Sequence, residues 1–105
     1  MAPAELEAVL LENDDIADAA VCALNKDHED LPRAYVVLKA TAKGKIKEKD
    51  VVEWIATKVA KHKRLTGGVK FIDEVPKSPS GKIQRVVLRD WAKRDADSVQ
   101  IKARL

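Results

Sequence analysis

The sequence predicts a small α+β domain: a three-stranded sheet with helices packed on it, in the order α-β-β-α-β-loop-α. Short apolar or alternating runs occur at 16–24, 33–39 and 69–75, the pattern of strands. Apolar residues recur every three or four positions at 3–12, 47–61 and 86–94, the pattern of helices with one buried face. The length of 105 residues, 46% of them apolar, fits a single domain over residues 1–105 with one core.

Each element has its own warrant. Pro3 suits the first turn of a helix, where a missing N–H costs nothing, and Leu6, Val9 and Leu10 share a face. Glu5 and Glu7 stand near the positive end of that helix, and Asn13 to Asp15 end it. Ile16 to Leu24 reads as a buried strand, with its alanines leaving a helix open as the other reading. "NKDHEDLP" reads as a polar loop. Arg33 to Lys39 is the clearest strand, because Tyr35, Val36, Val37 and Leu38 all favour one. The longest helix is expected over Lys47 to Lys61, with Val51, Ile55 and Val59 on one face and Lys49, Asp50, Glu53 and Lys58 on the other. It lacks a good cap, since Lys47 stands where Ser, Thr or Asp would help. "RLTGG" breaks the chain. Val69 to Val75 alternates as a third strand, with Val69, Phe71 and Val75 on one side. Val87, Leu88 and Trp91 form the apolar side of a last helix over Val86 to Arg94.

Composition narrows the function. Lys and Arg total 20 against 17 Asp and Glu, and the interspersed net charge of +3 is not that of a dedicated nucleic-acid binder. Aromatics at 4% argue against a large aromatic-walled pocket. No apolar run approaches the ~20 residues that span a bilayer, and no signal-peptide pattern opens the chain, so an intracellular compartment is expected. The single cysteine, Cys22, lies in an apolar run and reads as a reduced, buried thiol. A helix that starts almost at residue 1 reads as the interior of a longer protein cut at a domain border.

The most informative stretch is "PKSPSGKIQR", Pro76 to Arg85. Its prolines block regular structure, Gly81 permits a positive φ, and Ser78 and Ser80 offer hydroxyls for local turns. Lys82 then stands on a loop that reads as stiff at its base and pliable at its tip, able to swing a cation toward a partner. A Walker-type phosphate loop is excluded: Pro76 occupies the place of its first glycine, and Ile83 follows the lysine where Ser or Thr is required. Taken as physics alone, two readings stand for Lys82, a delivered point charge for phosphate oxygens and an ordinary solvated surface lysine.

The same stretch resembles the last signature of the acyl-adenylate-forming enzymes, the acyl-CoA synthetases, 4-coumarate–CoA ligases, luciferases and peptide-synthetase adenylation domains, with a pattern near Pro-Lys-Thr/Ser-x-Ser-Gly-Lys-Ile-x-Arg-Arg. "PAELEAVLLENDDIADAAV", "LPRAYVVLK" and "VVEWIATKVAKHKRLTGGVKFIDEVPKSPSGK" resemble further family segments in the right order, from about Ala2 to Arg94. The wording "RLTGGVKF" is similar to the 4-coumarate–CoA ligase-like branch. The resemblance implies a mobile C-terminal lid domain of an ATP-dependent acid–CoA ligase whose N-terminal ATP- and acid-binding domain is absent here. Lys82 matches the adenylating lysine, with Ser80 and Gly81 beside it and Lys63 as a further nucleotide contact. Lys61 to Gly68 keeps a second reading, a charged helix end followed by a turn. The resemblance further implies ATP (with Mg in the full enzyme), a carboxylic acid and CoA as partners, and no ligase activity in the isolated chain. Gln84 stands at a usually apolar position, and Val86 replaces the second arginine, which puts the family's extra basic contact in doubt.

Other residues read more plainly. His28, among acids on a polar loop, reads as solvent-facing rather than as a metal ligand, and no metal site is expected. His62 reads as a surface residue, and Trp54 and Trp91 as packing residues on helix faces. Ala103-Arg104-Leu105 has the small–basic–leucine form of a peroxisomal address, with an ordinary chain end as the other reading. The rival from another class is a small basic α+β interaction module that binds RNA or protein; for RNA it requires exposed aromatics on a lysine-rich face.

Overall fold

The computed structural model describes residues 3–60 and 64–96. The elements run α1 (Pro3–Leu10), β1 (Ile16–Lys26), β2 (Glu29–Leu38), α2 (Glu48–Ala56), β3 (Val69–Phe71) and α3 (Arg85–Asp95), the order that the periodicities predict. The sheet has the order β1-β2-β3, with β1 antiparallel to β2 and β3 parallel to it, so β1 and β3 are its edges.

Alternation along the strands divides the core into two layers. Ala19, Val21, Ala34, Val36 and Leu38 face one side, where Leu6 and Leu10 of α1 and Val51 and Ile55 of α2 cover them. Ala20, Cys22, Leu24 and Tyr35 face the other side, against Leu88 and Ala92 of α3. Both faces of β1 and β2 are therefore buried, which explains why these strands read as continuous apolar runs.

The segment expected to be a polar loop is a correction. β1 continues to Lys26 and β2 begins at Glu29, leaving only Asp27 and His28 as a two-residue turn. Both take positive φ, 53° and 68°, as the tight turns that match strand twist require. Asn25 donates to Asp30 across the strands at 3.0 Å, so the polar residues sit on an exposed extension of the hairpin.

Three further expectations change. β3 is three residues long, and Val75 joins the α3-side layer instead of the side that Val69 and Phe71 share. α2 spans nine residues; the longest helix among the described residues is α3, with eleven. The helix expected over Lys47 to Lys61 thus stops at Ala56, and of its expected span only Lys61 lies outside the described residues. As expected, no side chain caps α2 from Lys47, but Asp50 accepts the Lys47 backbone N–H at 2.7 Å, half of a capping box. Finally, Glu7 is buried, not merely placed near a helix end.

Candidate functional site

Pro76 to Gln84 does not form a free-swinging loop. It closes on itself as a miniature hairpin: Lys77 and Ile83 form an antiparallel bridge, and Gln84 N–H donates to Pro76 O at 2.9 Å. Ser78 N–H donates to Lys82 O at 2.8 Å, and Gly81 N–H donates to Ser78 O at 2.9 Å. The Ser78 hydroxyl also accepts the Lys82 N–H at 3.3 Å and meets Ser80 Oγ at 2.9 Å. Gly81 takes φ +87° with open space around it, so the glycine is needed for backbone freedom and not for room. The expectation of a pliable tip is corrected: Ser78 holds the peptide of Lys82 from both sides.

Lys82 is exposed at the end of this hairpin, and among the described residues its ammonium has no hydrogen-bond or ion-pair partner. Ser80 and Gly81 are exposed beside it. Lys63, His62, Lys61 and Ala103-Arg104-Leu105 lie outside the described residues. The Gly67–Gly68 turn that follows Lys63 is structural: Gly67 N–H donates to Pro32 O at 2.8 Å, and Ala34 N–H donates to Gly68 O at 3.0 Å.

Two charged groups anchor the hairpin to the free edge of β1. On the incoming leg, Lys77 Nζ pairs with Asp18 Oδ2 at 2.7 Å, and that bond raises the Lys77 pKa above its ordinary value. On the outgoing leg, Arg85 NH1 donates to Glu7 Oε2 at 2.8 Å and to Val21 O at 3.0 Å, while NH2 donates to Glu7 Oε1 at 3.2 Å. Glu7 Oε2 also accepts Val21 N–H at 2.7 Å. The carboxylate and guanidinium thus satisfy both backbone groups of Val21 and cover part of an edge strand. The hydrogen bond to Glu7 is the main reason that Arg85 holds its proton even more tightly than a free arginine.

A second buried network joins β2 to the end of α3. Arg33 donates from Nε to Tyr35 Oη at 3.1 Å, from NH1 to Gly67 O at 2.8 Å and from NH2 to Asp95 Oδ2 at 3.0 Å. Tyr35 Oη donates to the same Asp95 oxygen at 3.0 Å, and Trp91 packs edge-on against the Tyr35 ring. Burial pushes the Tyr35 phenol up to about 12. Burial alone would raise the Asp95 carboxyl; hydrogen bonds from Tyr35 and Arg33, with the charges of Lys70 and Arg33, outweigh it and hold that carboxyl below its usual value. Neither network was visible in the sequence, because their partners lie 78 and 62 residues apart.

The remaining candidates are structural. Cys22 is buried and free, and desolvation pushes its thiol up, so it is a packing residue. Trp54 and Trp91 pack against the two core layers, as expected; Phe71 packs with Trp54's layer and Tyr35 is fully buried. An RNA-stacking platform of exposed rings is therefore missing among the described residues, and the interaction-module reading gains no support. No group of three or more His, Cys, Asp or Glu side chains there could hold a metal ion. No described helix is long and apolar enough to cross a membrane.

A shallow cavity of about 590 Å³ is lined by Ile83, the residue after Lys82, with Gln84, Arg85, Val86, Val87 and Arg89. Val86 is 65% exposed there. The surface that follows the lysine along the chain thus carries two arginines and an uncovered valine.

The family model described as AMP-binding enzyme C-terminal domain matches residues 5–82, ending on Lys82 itself. An acyl-CoA synthetase of Alternaria alternata is 50% identical over 96 residues, 88% of this chain and 16% of that protein. A luciferin 4-monooxygenase of Luciola mingrelica is 47% identical over 94 residues, 88% of this chain and 17% of that protein. Among solved structures, a benzoate CoA ligase from Burkholderia xenovorans LB400 superposes with a TM-score of 0.74 at 35% identity, covering 83% of this chain and 18% of that one. The chain thus spans less than a fifth of the length of these relatives.

Proposed function

Because the chain belongs to the AMP-binding enzyme C-terminal domain family, we propose that it is the lid of an ATP-dependent acid–CoA ligase and supplies Lys82 for carboxylate adenylation. The observation that carries this reading is an exposed ammonium with no partner among the described residues, on a hairpin whose backbone is fixed.

Adenylation brings a carboxylate to the α-phosphate of ATP and expels pyrophosphate. Two anions must meet, and charge builds on the phosphoryl oxygens as they do. An ammonium placed between them lowers that barrier by electrostatics and by orientation. Lys82 needs no partner inside its own domain because its partners are the substrates. Ser80 and Gly81 shape the turn and leave room for the nucleotide near the lysine. The exposed Val86, with Arg89 beside it, gives part of the surface that meets the N-terminal domain. ATP, Mg and the acid are held by that domain; no metal ligand is assigned to this one.

Thioester formation then needs the same space for the thiol of CoA. Withdrawal of the whole lid removes Lys82 without rebuilding the hairpin. The chain by itself is expected to form no acyl-adenylate, since this reading assigns the ATP and acid sites to the N-terminal domain.

The test is acid-dependent ATP–pyrophosphate exchange by the full-length enzyme. Lys82→Ala is expected to slow it by roughly 10²–10³, the scale for losing one preorganised electrostatic contact. Exchange within about twofold of the unmutated enzyme would contradict the reading.

A further inference from the structure

From the way the hairpin is tied to β1, we infer that Glu7 and Arg85 are positioning residues that set the direction in which Lys82 is presented. The inference rests on the proposed role of Lys82 in adenylation. Lys82 is fixed to Ser78 at both its N–H and its carbonyl, and the hairpin closes behind it at Pro76 and Gln84. Its orientation relative to the sheet is therefore decided where its two legs meet β1.

The two attachments are unequal. Lys77 and Asp18 are 42% and 31% exposed, and an ion pair in that setting is easily exchanged for water. Arg85 is 35% exposed but its partner Glu7 only 9%, and the difference lies in that buried carboxylate and in the four hydrogen bonds that join it, Arg85 and Val21 across three separate segments. Arg85 lies three residues beyond Lys82, at the first residue of α3. A fork of N–H groups is needed there, because one side chain must hold both carboxylate oxygens and a backbone carbonyl; a lysine cannot reproduce that geometry. An ammonium at the end of a long side chain delivers charge accurately only if the backbone beneath it is rigid. A lid that moves as one body also requires that the hairpin not yield against the sheet.

The experiment is a mutant cycle in the full-length enzyme: unmutated, Lys82→Ala, Arg85→Lys, and both together. Each protein is assayed for acid-dependent pyrophosphate exchange and for thioester formation from supplied acyl-adenylate and CoA. Arg85→Lys is expected to lower kcat for exchange about tenfold, with KM for ATP and thioester formation changed less than about twofold, as misplacement of one reacting group would. In the Lys82→Ala background it is expected to cost less than about twofold, since no ammonium is left to position. Equal slowing of both half-reactions, full multiplication of the two losses, or undiminished exchange in Arg85→Lys would each overturn the inference. Normal exchange in Lys82→Ala would instead sink the functional reading on which it rests. Should Arg85→Lys fail to fold, Glu7→Gln replaces it, because the amide oxygen can still accept Val21 N–H. A several-fold loss confined to exchange is then expected, and full exchange activity overturns the inference.

Discussion

Replacing Tyr35 by Phe isolates the value of the network that holds the end of α3 to the sheet. The ring stays in its fully buried place against Trp91, so no cavity opens. What disappears is a hydroxyl that accepts from Arg33 Nε at 3.1 Å and donates to Asp95 at 3.0 Å. Hydrogen bonds with a charged partner contribute about 1.5–3 kcal/mol each, and the full cost appears where the abandoned group has no access to water. The Arg33 side chain is 8% exposed and has little such access, so its share is about 2 kcal/mol. Asp95 is 19% exposed and keeps its bond from Arg33 NH2, so its share is about 1 kcal/mol. The sum, about 3 kcal/mol, lowers the melting temperature of a domain this size by roughly 15 °C. Urea unfolding of the chain, followed by tryptophan fluorescence, reads it as a fall of about 2 M in midpoint at unchanged slope. A loss below about 0.5 kcal/mol would show that the hydroxyl is replaceable by water and the reasoning wrong.

Other consequences follow from individual residues. Gly67→Ala would place a methyl carbon 2.8 Å from Pro32 O and 3.1 Å from Arg33 Cβ, against backbone that cannot yield. It should destabilise the fold by about 2–3 kcal/mol in urea melts. Gly44→Ala, with φ +80° and open space, should cost only about 1 kcal/mol of backbone strain. Because the Asp95 carboxyl is held below its ordinary value in the folded state, its contribution is fully present above about pH 4 and is lost as pH falls through the depressed value. Unfolding free energy of Asp95→Asn measured between pH 7 and pH 2 should show that part of the acid dependence removed. Cys22 should react with a thiol reagent at pH 8 far more slowly in the native chain than in urea, since burial both shields the thiol and raises its pKa; equal rates would place it at the surface.

The order of elements was legible because Tyr35 to Leu38 are a short run of strand formers, while the Val51–Ile55–Val59 spacing fits a helix and not a strand. The hairpin around Asp27 and His28 was not. Asn25, Glu29 and Asp30 beside it are exposed and polar, so no hydrophobic alternation marks them as strand. Asp-His also lacks the glycine that usually signals a two-residue turn. The Ser-Gly-Lys signature was legible because it is local. Glu7 with Arg85, and Arg33 with Asp95, were hidden for the opposite reason: each residue looks like ordinary surface charge until folding carries it to a partner far along the chain. Val75 departs from the side that alternation predicts because the chain leaves the sheet after Phe71, which ends the two-residue period.

The most direct measurement of the central claim takes the Lys82→Ala form of the full-length enzyme, supplies it with preformed acyl-adenylate, and follows thioester formation with CoA. The lysine is held to serve only the carboxyl–phosphate encounter, so this step should run within about twofold of the unmutated enzyme while pyrophosphate exchange falls by roughly 10²–10³. A parallel collapse of both steps would contradict it.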